Sequence, residues 1–329
     1  MLQYSNPLLE RKADPWIYKH TDGYYYFIAS AAEFDRIEIC RAETIEGLRD
    51  AEQVVVWRKH DTGPLSKLIW APELHFLRGK WYIYFAAAPT EEPHPEHHTF
   101  QHRMFALENE SANPLEGNWV EKGQVKTDWE SFALDATVFE HNDRMYYVWA
   151  QKDPEIAGNS NLYIAEMENP WTLKTKQVLL SKPEYSWEII GFLVNEGPAV
   201  LKRNGKIFIT YSASATDENY CMGLLTADEN SDFLDPASWE KSKEPVFTTC
   251  EENKKFGPGH NSFTVSEDGK HDILVYHARD HKNDYEDALN DGGRHACVQV
   301  FDYDENGYPQ FGKPVANSVP GTRTIQNSI

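Results

Sequence analysis

The stretch ADPWIYKHTDGYYYFIAS, Ala13–Ser30, decides the fold because its plan returns four more times. The later copies read WAPELHFLRGKWYIYFAA (Trp70–Ala87), LDATVFEHNDRMYYVWAQ (Leu134–Gln151), NEGPAVLKRNGKIFITYS (Asn195–Ser212) and GHNSFTVSEDGKHDILVY (Gly259–Tyr276). Each is an apolar run, a turn and a second apolar or aromatic run, the pattern of two paired strands. The turn positions Gly23, Gly79, Asp143, Gly205 and Gly269 are spaced by 56, 64, 62 and 64 residues. Counting nine back from them reaches Asp14, Trp70, Leu134 beside Asp135, Glu196 and His260. The scaffold therefore repeats while one structural position varies.

Two further strand-like runs follow each copy, as in RIEICRAET and EQVVVWR after the first, or NLYIAEMEN and TKQVLLS after the third. Asn-, Asp-, Pro- and Gly-rich connections such as ENESANPLEGNW separate them, and no segment keeps a helical period. Four strands per unit and five units fit a closed ring better than a solenoid, whose units are shorter and open-ended. The expected fold is all-β: a five-bladed β-propeller with four antiparallel strands per blade, forming a single catalytic domain over residues 1–329. In such a ring the first strand of every blade lines the central channel, so Asp14, Trp70, Asp135, Glu196 and His260 should meet at one mouth.

Composition narrows the function. With 32 Lys and Arg against 52 Asp and Glu the formal charge is −20, and no basic cluster could track phosphates, which argues against nucleic acid and anionic membranes as partners. No stretch approaches the roughly 20 apolar residues of a membrane span. The N-terminus, MLQYSNPLLERKADPW, lacks a basic segment followed by an apolar core, so a cytoplasmic location is expected. Cys40, Cys221, Cys250 and Cys297 have neither CxxC nor zinc-like spacing and read as buried thiols. A neutral ligand such as a sugar suits the acidic surface.

Gathering three carboxylates at one mouth is costly, because like charges in a partly dry pocket raise one another's pKa. Glycoside hydrolysis gives that cost a use: one carboxylic acid protonates the leaving oxygen while a carboxylate acts on the anomeric carbon or on a water. Asp14 and Glu196 head blades that are not neighbours, so their carboxyls should face each other across the channel. That leaves room for a water, the inverting arrangement, with carboxyls roughly 6.5–9.5 Å apart. Glu196, in NEGP beside the apolar WEIIGFLV, is the expected general acid, and Asp14, held extended by Pro15, the expected general base. Asp135 should tune the acid's pKa and orientation.

In order and spacing, ADPW at Ala13, WAPE at Trp70, LDATVF at Leu134, NEGP at Asn195, GPGHNSF at Gly257 and YHAR at Tyr276 resemble family 43 of the glycoside hydrolases over nearly the whole chain. The resemblance implies the same three roles for Asp14, Asp135 and Glu196. It further implies that His260 lies beneath the sugar near a channel-bound divalent cation, calcium held largely through waters, that Arg279 contacts substrate near the acid, and that no organic cofactor takes part. Trp70 is expected to line the sugar subsite by ring stacking. NPLL, KADPW, VVVW, IWAPELH and NPLEGNW are similar to intracellular α-L-arabinofuranosidases of the family, which puts release of terminal arabinofuranosyl residues from arabinan- or arabinoxylan-derived oligosaccharides first. A β-D-xylosidase or an endo-arabinanase is the alternative, and a carbohydrate-binding propeller the non-enzymatic one. The stretch carrying His94, His97, His98 and His102 has metal-like spacing, but Pro93 and Pro95 oppose the helix that would align it, so a solvated loop at the mouth is expected.

Overall fold

The computed structural model describes residues 2–282 and 288–318; the remainder of the expected 1–329 domain lies outside the described residues. Five antiparallel sheets follow one another along the chain, each running from innermost to outermost strand in sequence order. The first blade comprises Ala13–Lys19, Tyr25–Ser30, Arg36–Ala42 and Val54–Arg58. The second comprises Lys67–Leu77, Lys80–Ala88, Arg103–Asn109 and Val120–Gln124. The third has Ala133–His141, Arg144–Gln151 and Asn161–Asn169, with its outermost strand split into Thr172–Leu173 and Val178–Ser181, both paired to the same neighbour. Asn195–Arg203, Lys206–Ala213, Cys221–Asp228 and Glu240–Lys241 form the fourth. Phe256–Val265, Asp272–Arg279, His295–Tyr303 and Pro309–Gln310 form the fifth.

The ring closes through its inner strands, since Ala13–Lys19 packs against Lys67–Leu77 on one side and Phe256–Val265 on the other. The N-terminal segment reinforces this seam. Asn6 uses its side-chain amide to donate to the Val298 carbonyl and to accept from the Val298 N–H, and Leu9 bridges Ala296.

Blades pack face to face, so their middle strands are covered on both sides and read as continuous apolar runs; every residue of Tyr25–Ser30 is buried. Between the first two blades, Trp81 fits among Tyr18, Tyr26 and Phe76 with ring centroids 4.9–5.5 Å apart. Similar apolar layers join the remaining blades around the ring. The four cysteines are free and buried, and burial pushes the thiols of Cys40 and Cys297 up to about 11 and that of Cys221 up to about 12.

The repeated turns are left-handed, with φ of 93° at Gly23, 85° at Gly79, 60° at Asp143, 72° at Gly205 and 71° at Gly269. In three of them the preceding residue, Arg78, Asn142 or Asn204, also has positive φ. That pair of conformations is the two-residue hairpin turn whose twist matches its strands.

A second left-handed position recurs at the start of the inner strands, where the pairing register breaks. It falls on Asp14 (57°), Ala71 (43°), Asp135 (49°), Gly197 (54°) and His260 (44°). Asp14 is thus left-handed and not extended as its place before Pro15 predicts: the bulge between Ala13 and Trp16 overrides the proline's preference. Four of the five positions are not glycine, and such residues persist in this region only where surrounding structure enforces it, often at functional sites. Trp70 and Glu196 are therefore not equivalent to Asp14: each precedes the bulged residue of its own blade. The site draws on two adjacent positions of the repeat.

Candidate active site

Those bulges turn the head side chains into a cavity of about 430 Å³ at the channel mouth. Asp14, Trp70, Asp135, Glu196 and His260 all line it, together with Arg294, Tyr220, Phe34, Phe100, Phe132 and Phe192. The five heads expected to converge do so.

The Asp14 carboxyl is tightly held. Ser30 donates its hydroxyl to Oδ2 at 2.6 Å, while the Oδ1 atom lies 3.3 Å from His260 Nδ1, 3.4 Å from His277 Nδ1 and 3.6 Å from Arg294. Its backbone N–H donates to His277 Nδ1 at 3.1 Å. Burial alone would raise its pKa, but His260, the His277 hydrogen bond and Arg294 hold it well below the usual carboxylate range. Burial lowers the imidazoles' own pKa values, pushing His277 down to about 3 and lowering His260 as well, while Asp14 works against this at both. Arg294 adds a guanidinium charge 3.6 Å from the Asp14 carboxyl.

Glu196 behaves oppositely. Burial raises its pKa, the Tyr220 hydroxyl donated to Oε1 at 2.8 Å opposes this, and negative Asp14 adds to it; the result is a carboxyl pushed up to about 7. Asp135 is raised too, by burial and then by the charges of Glu196 and Asp14. Its Oδ2 atom accepts the Gly197 N–H at 3.0 Å and lies 3.8 Å from His260 Nδ1. The geometry thus pairs one firmly ionised carboxylate with two carboxyls that compete to keep a proton. Such an arrangement can take a proton from water at one point and deliver one at another.

Arg279 does not reach this cavity. It is fully buried behind the wall, its Nε donating to Asp291 at 2.7 Å and a terminal nitrogen to the Ala288 carbonyl at 2.6 Å. The arginine that faces the site is Arg294, which stands just outside the repeated heads and so carries no periodic signal. His277, in YHAR, was likewise missed; it stacks on Tyr220 with ring centroids 5.6 Å apart and 10° between planes. Trp70 lines the cavity with one face covered by His102, at 3.8 Å between centroids. The histidine stretch divides in two. His98, Thr99 and Phe100 form cavity wall and His102 is buried, whereas ligand atoms of His94, Glu96 and His97 lie within 4.8 Å of one another on the partly exposed loop.

Residues 4–309 match the family model of glycosyl hydrolases family 43. The chain belongs to this family. It is 51% identical over 97% of its length to an extracellular exo-α-(1→5)-L-arabinofuranosidase of Streptomyces avermitilis, of which it covers 65%. It is 54% identical over 85% of its length to an extracellular exo-α-(1→5)-L-arabinofuranosidase of Streptomyces chartreusis, of which it covers 83%. The fold of an α-L-arabinofuranosidase from Lactobacillus brevis superposes with a TM-score of 0.95 at 57% identity, covering 96% of this chain and 98% of that one. These relatives correct the expected cytoplasmic location: two of them are extracellular enzymes, and the residues at which this chain begins do not decide compartment.

Proposed function

We propose that the protein is an inverting α-L-arabinofuranosidase that removes terminal arabinofuranosyl residues from arabinan- or arabinoxylan-derived oligosaccharides. The observation that carries this is the opposed charge state of two carboxyls in one cavity: Asp14 held ionised, Glu196 pushed up to about 7. Asp14 takes a proton from a water that attacks the anomeric carbon, and Glu196 gives its proton to the departing glycosidic oxygen. Burial and the charge of Asp14 keep Glu196 protonated, while Asp135, itself raised by Glu196 and Asp14, orients the loop by accepting the Gly197 N–H beside the acid. The arabinose preference is supported by the family 43 relatives named above, two of which act as exo-α-(1→5)-L-arabinofuranosidases.

Calcium beside His260 belongs to the same proposal. Asn261, next in sequence, has both amide atoms buried without a protein partner, and among the described residues the carboxylates and histidines near His260 form no close cluster of three ligand atoms. These residues fit an ion kept in its water shell and held through His260 and Asn261, which would add positive charge beneath the sugar.

The test is product stereochemistry with paired substrates. Proton NMR of fresh product from an aryl α-L-arabinofuranoside should show the β-anomer first, with hydrolysis of the matching β-D-xyloside much slower. Retention of configuration would remove Asp14 as the base. Faster xyloside cleavage would replace the sugar.

A further inference from the structure

Six large hydrophobic side chains are exposed among the described residues, and three of them stand within four positions: Ile189 at 42%, Ile190 at 44% and Phe192 at 55%. Scattered singly such residues need no explanation; clustered, they mark a binding surface. This cluster is rigidly built. The Ile190 N–H donates to Ser214 Oγ at 3.0 Å, and its carbonyl accepts from Ala215 N–H at 2.8 Å and Phe192 N–H at 3.0 Å. At Gly191, with φ of 77°, an added Cβ would come within 2.8 Å of the Ala215 Cβ, so the ledge lies hard against the fourth blade. Phe192 and Ala215 are both part of the cavity wall.

The location gives the ledge a direction. It precedes Glu196 by four to seven residues, and its Phe192 lines the same cavity as Glu196, with Ile189 and Ile190 exposed beside it. A group attached to the oxygen that Glu196 protonates and leaving past Phe192 would meet this ledge. We propose that the leaving-group side of this site is an apolar subsite that takes arabinofuranosides of hydrophobic alcohols, alkyl or aromatic, in addition to sugar leaving groups. This rests on the assignment of Glu196 and on the arabinofuranosidase activity proposed above.

Methyl and n-octyl α-L-arabinofuranoside, used below their micelle concentrations, isolate the effect. Their alkoxide leaving groups make nearly the same demand on the acid, whereas each buried methylene favours binding by roughly a factor of four. The wild-type protein should show a kcat/KM at least about tenfold higher for the octyl compound, mostly through KM. In the double variant Ile190→Ser, Phe192→Ser the ratio should fall toward one, and Phe192→Leu should restore most of it. A wild-type ratio near one overturns the apolar subsite, as does a preference that survives the double variant. Equal rates on both arabinofuranosides sink the subsite alone, while failure to cleave either sinks the arabinofuranosidase activity with it. If the ledge instead covers a second copy of the chain, the octyl preference will be absent and the double variant will change particle mass in light scattering, which also overturns it.

Discussion

With Glu196 as the proposed acid, the hydroxyl of Tyr220 bears on the working pH. The Tyr220 hydrogen bond favours the charged carboxylate, so it restrains a pKa that burial and Asp14 push upward. In Tyr220→Phe the basic limb of kcat/KM should move to higher pH than in the wild type by about half a unit to one unit; an acidward shift would contradict Glu196 as the acid. Ser30 acts on Asp14 in the same manner. Because its oxygen accepts the Ala71 N–H at 2.8 Å, its own proton is directed at Asp14 Oδ2. Ser30→Ala removes a donor to the charged form, so the acid limb should rise and kcat should fall about tenfold with KM little changed, as pH–rate profiles would report. Glu196→Gln separates acid from scaffold: activity on alkyl arabinofuranosides should drop by about 10³ or more, and activity on a dinitrophenyl arabinofuranoside, whose leaving group needs no proton, far less. Equal losses on both would move the acid role elsewhere.

The hairpins and bulges show which parts of this fold were legible in the sequence. Gly23, Gly79, Asp143, Gly205 and Gly269 were readable because a tight turn leaves its chemistry in the residues that occupy it, and all five take left-handed φ. The bulges left a blurred trace. Counting nine back from the turns reaches the bulge at Asp14 and His260 but stops one residue before it at Trp70, Leu134 and Glu196, because the first and fifth hairpins have longer loops, residues 20–24 and 266–271, than the two-residue loops of the other three. Arg294 and Ser30 were invisible because neither stands at the periodic head: Ser30 meets Asp14 across the first hairpin, beside the Ala13–Ser30 pair, and Arg294 only once blades one and five close. Turn energetics can be checked at Gly79, where φ is 85° and an added Cβ meets nothing within 4 Å. Gly79→Ala should therefore cost the backbone term alone, about 1 kcal/mol, whereas Asp143→Gly should stabilise by roughly the same amount or less, since a non-glycine residue now occupies φ of 60°. Chemical denaturation of both variants would measure the pair, and a destabilised Asp143→Gly would mean that the aspartate side chain contributes more than its turn geometry suggests.

Across the whole molecule, the charge arrangement that serves the site works against stability. A carboxyl displaced from 4.5 to about 7 holds a proton that the unfolded chain has already released, so from about pH 4.5 to 7 it makes the folded state less favourable as pH rises. The full displacement corresponds to roughly 3 kcal/mol. Other buried groups act in the reverse sense: His75, His102 and His277, each pushed down to about 3 by burial, are charged in the unfolded chain below about 6.5 and so add stability as pH rises to that point. The formal charge of −20 adds a further pH-dependent repulsion. A wild-type stability curve therefore mixes opposing contributions, and only a difference between two chains isolates the carboxyl. Glu196→Gln keeps the shape and removes the titration, so its melting temperature should exceed the wild type by little at pH 5 and by several degrees at pH 8, with the histidine and net-charge contributions cancelling in the comparison. The same substitution that abolishes activity would then stabilise the protein, the trade expected where a site keeps a buried acid protonated. A melting difference that stays constant from pH 5 to 8 would mean Glu196 ionises like a solvent-exposed carboxyl, and its role as the proton donor would go with it.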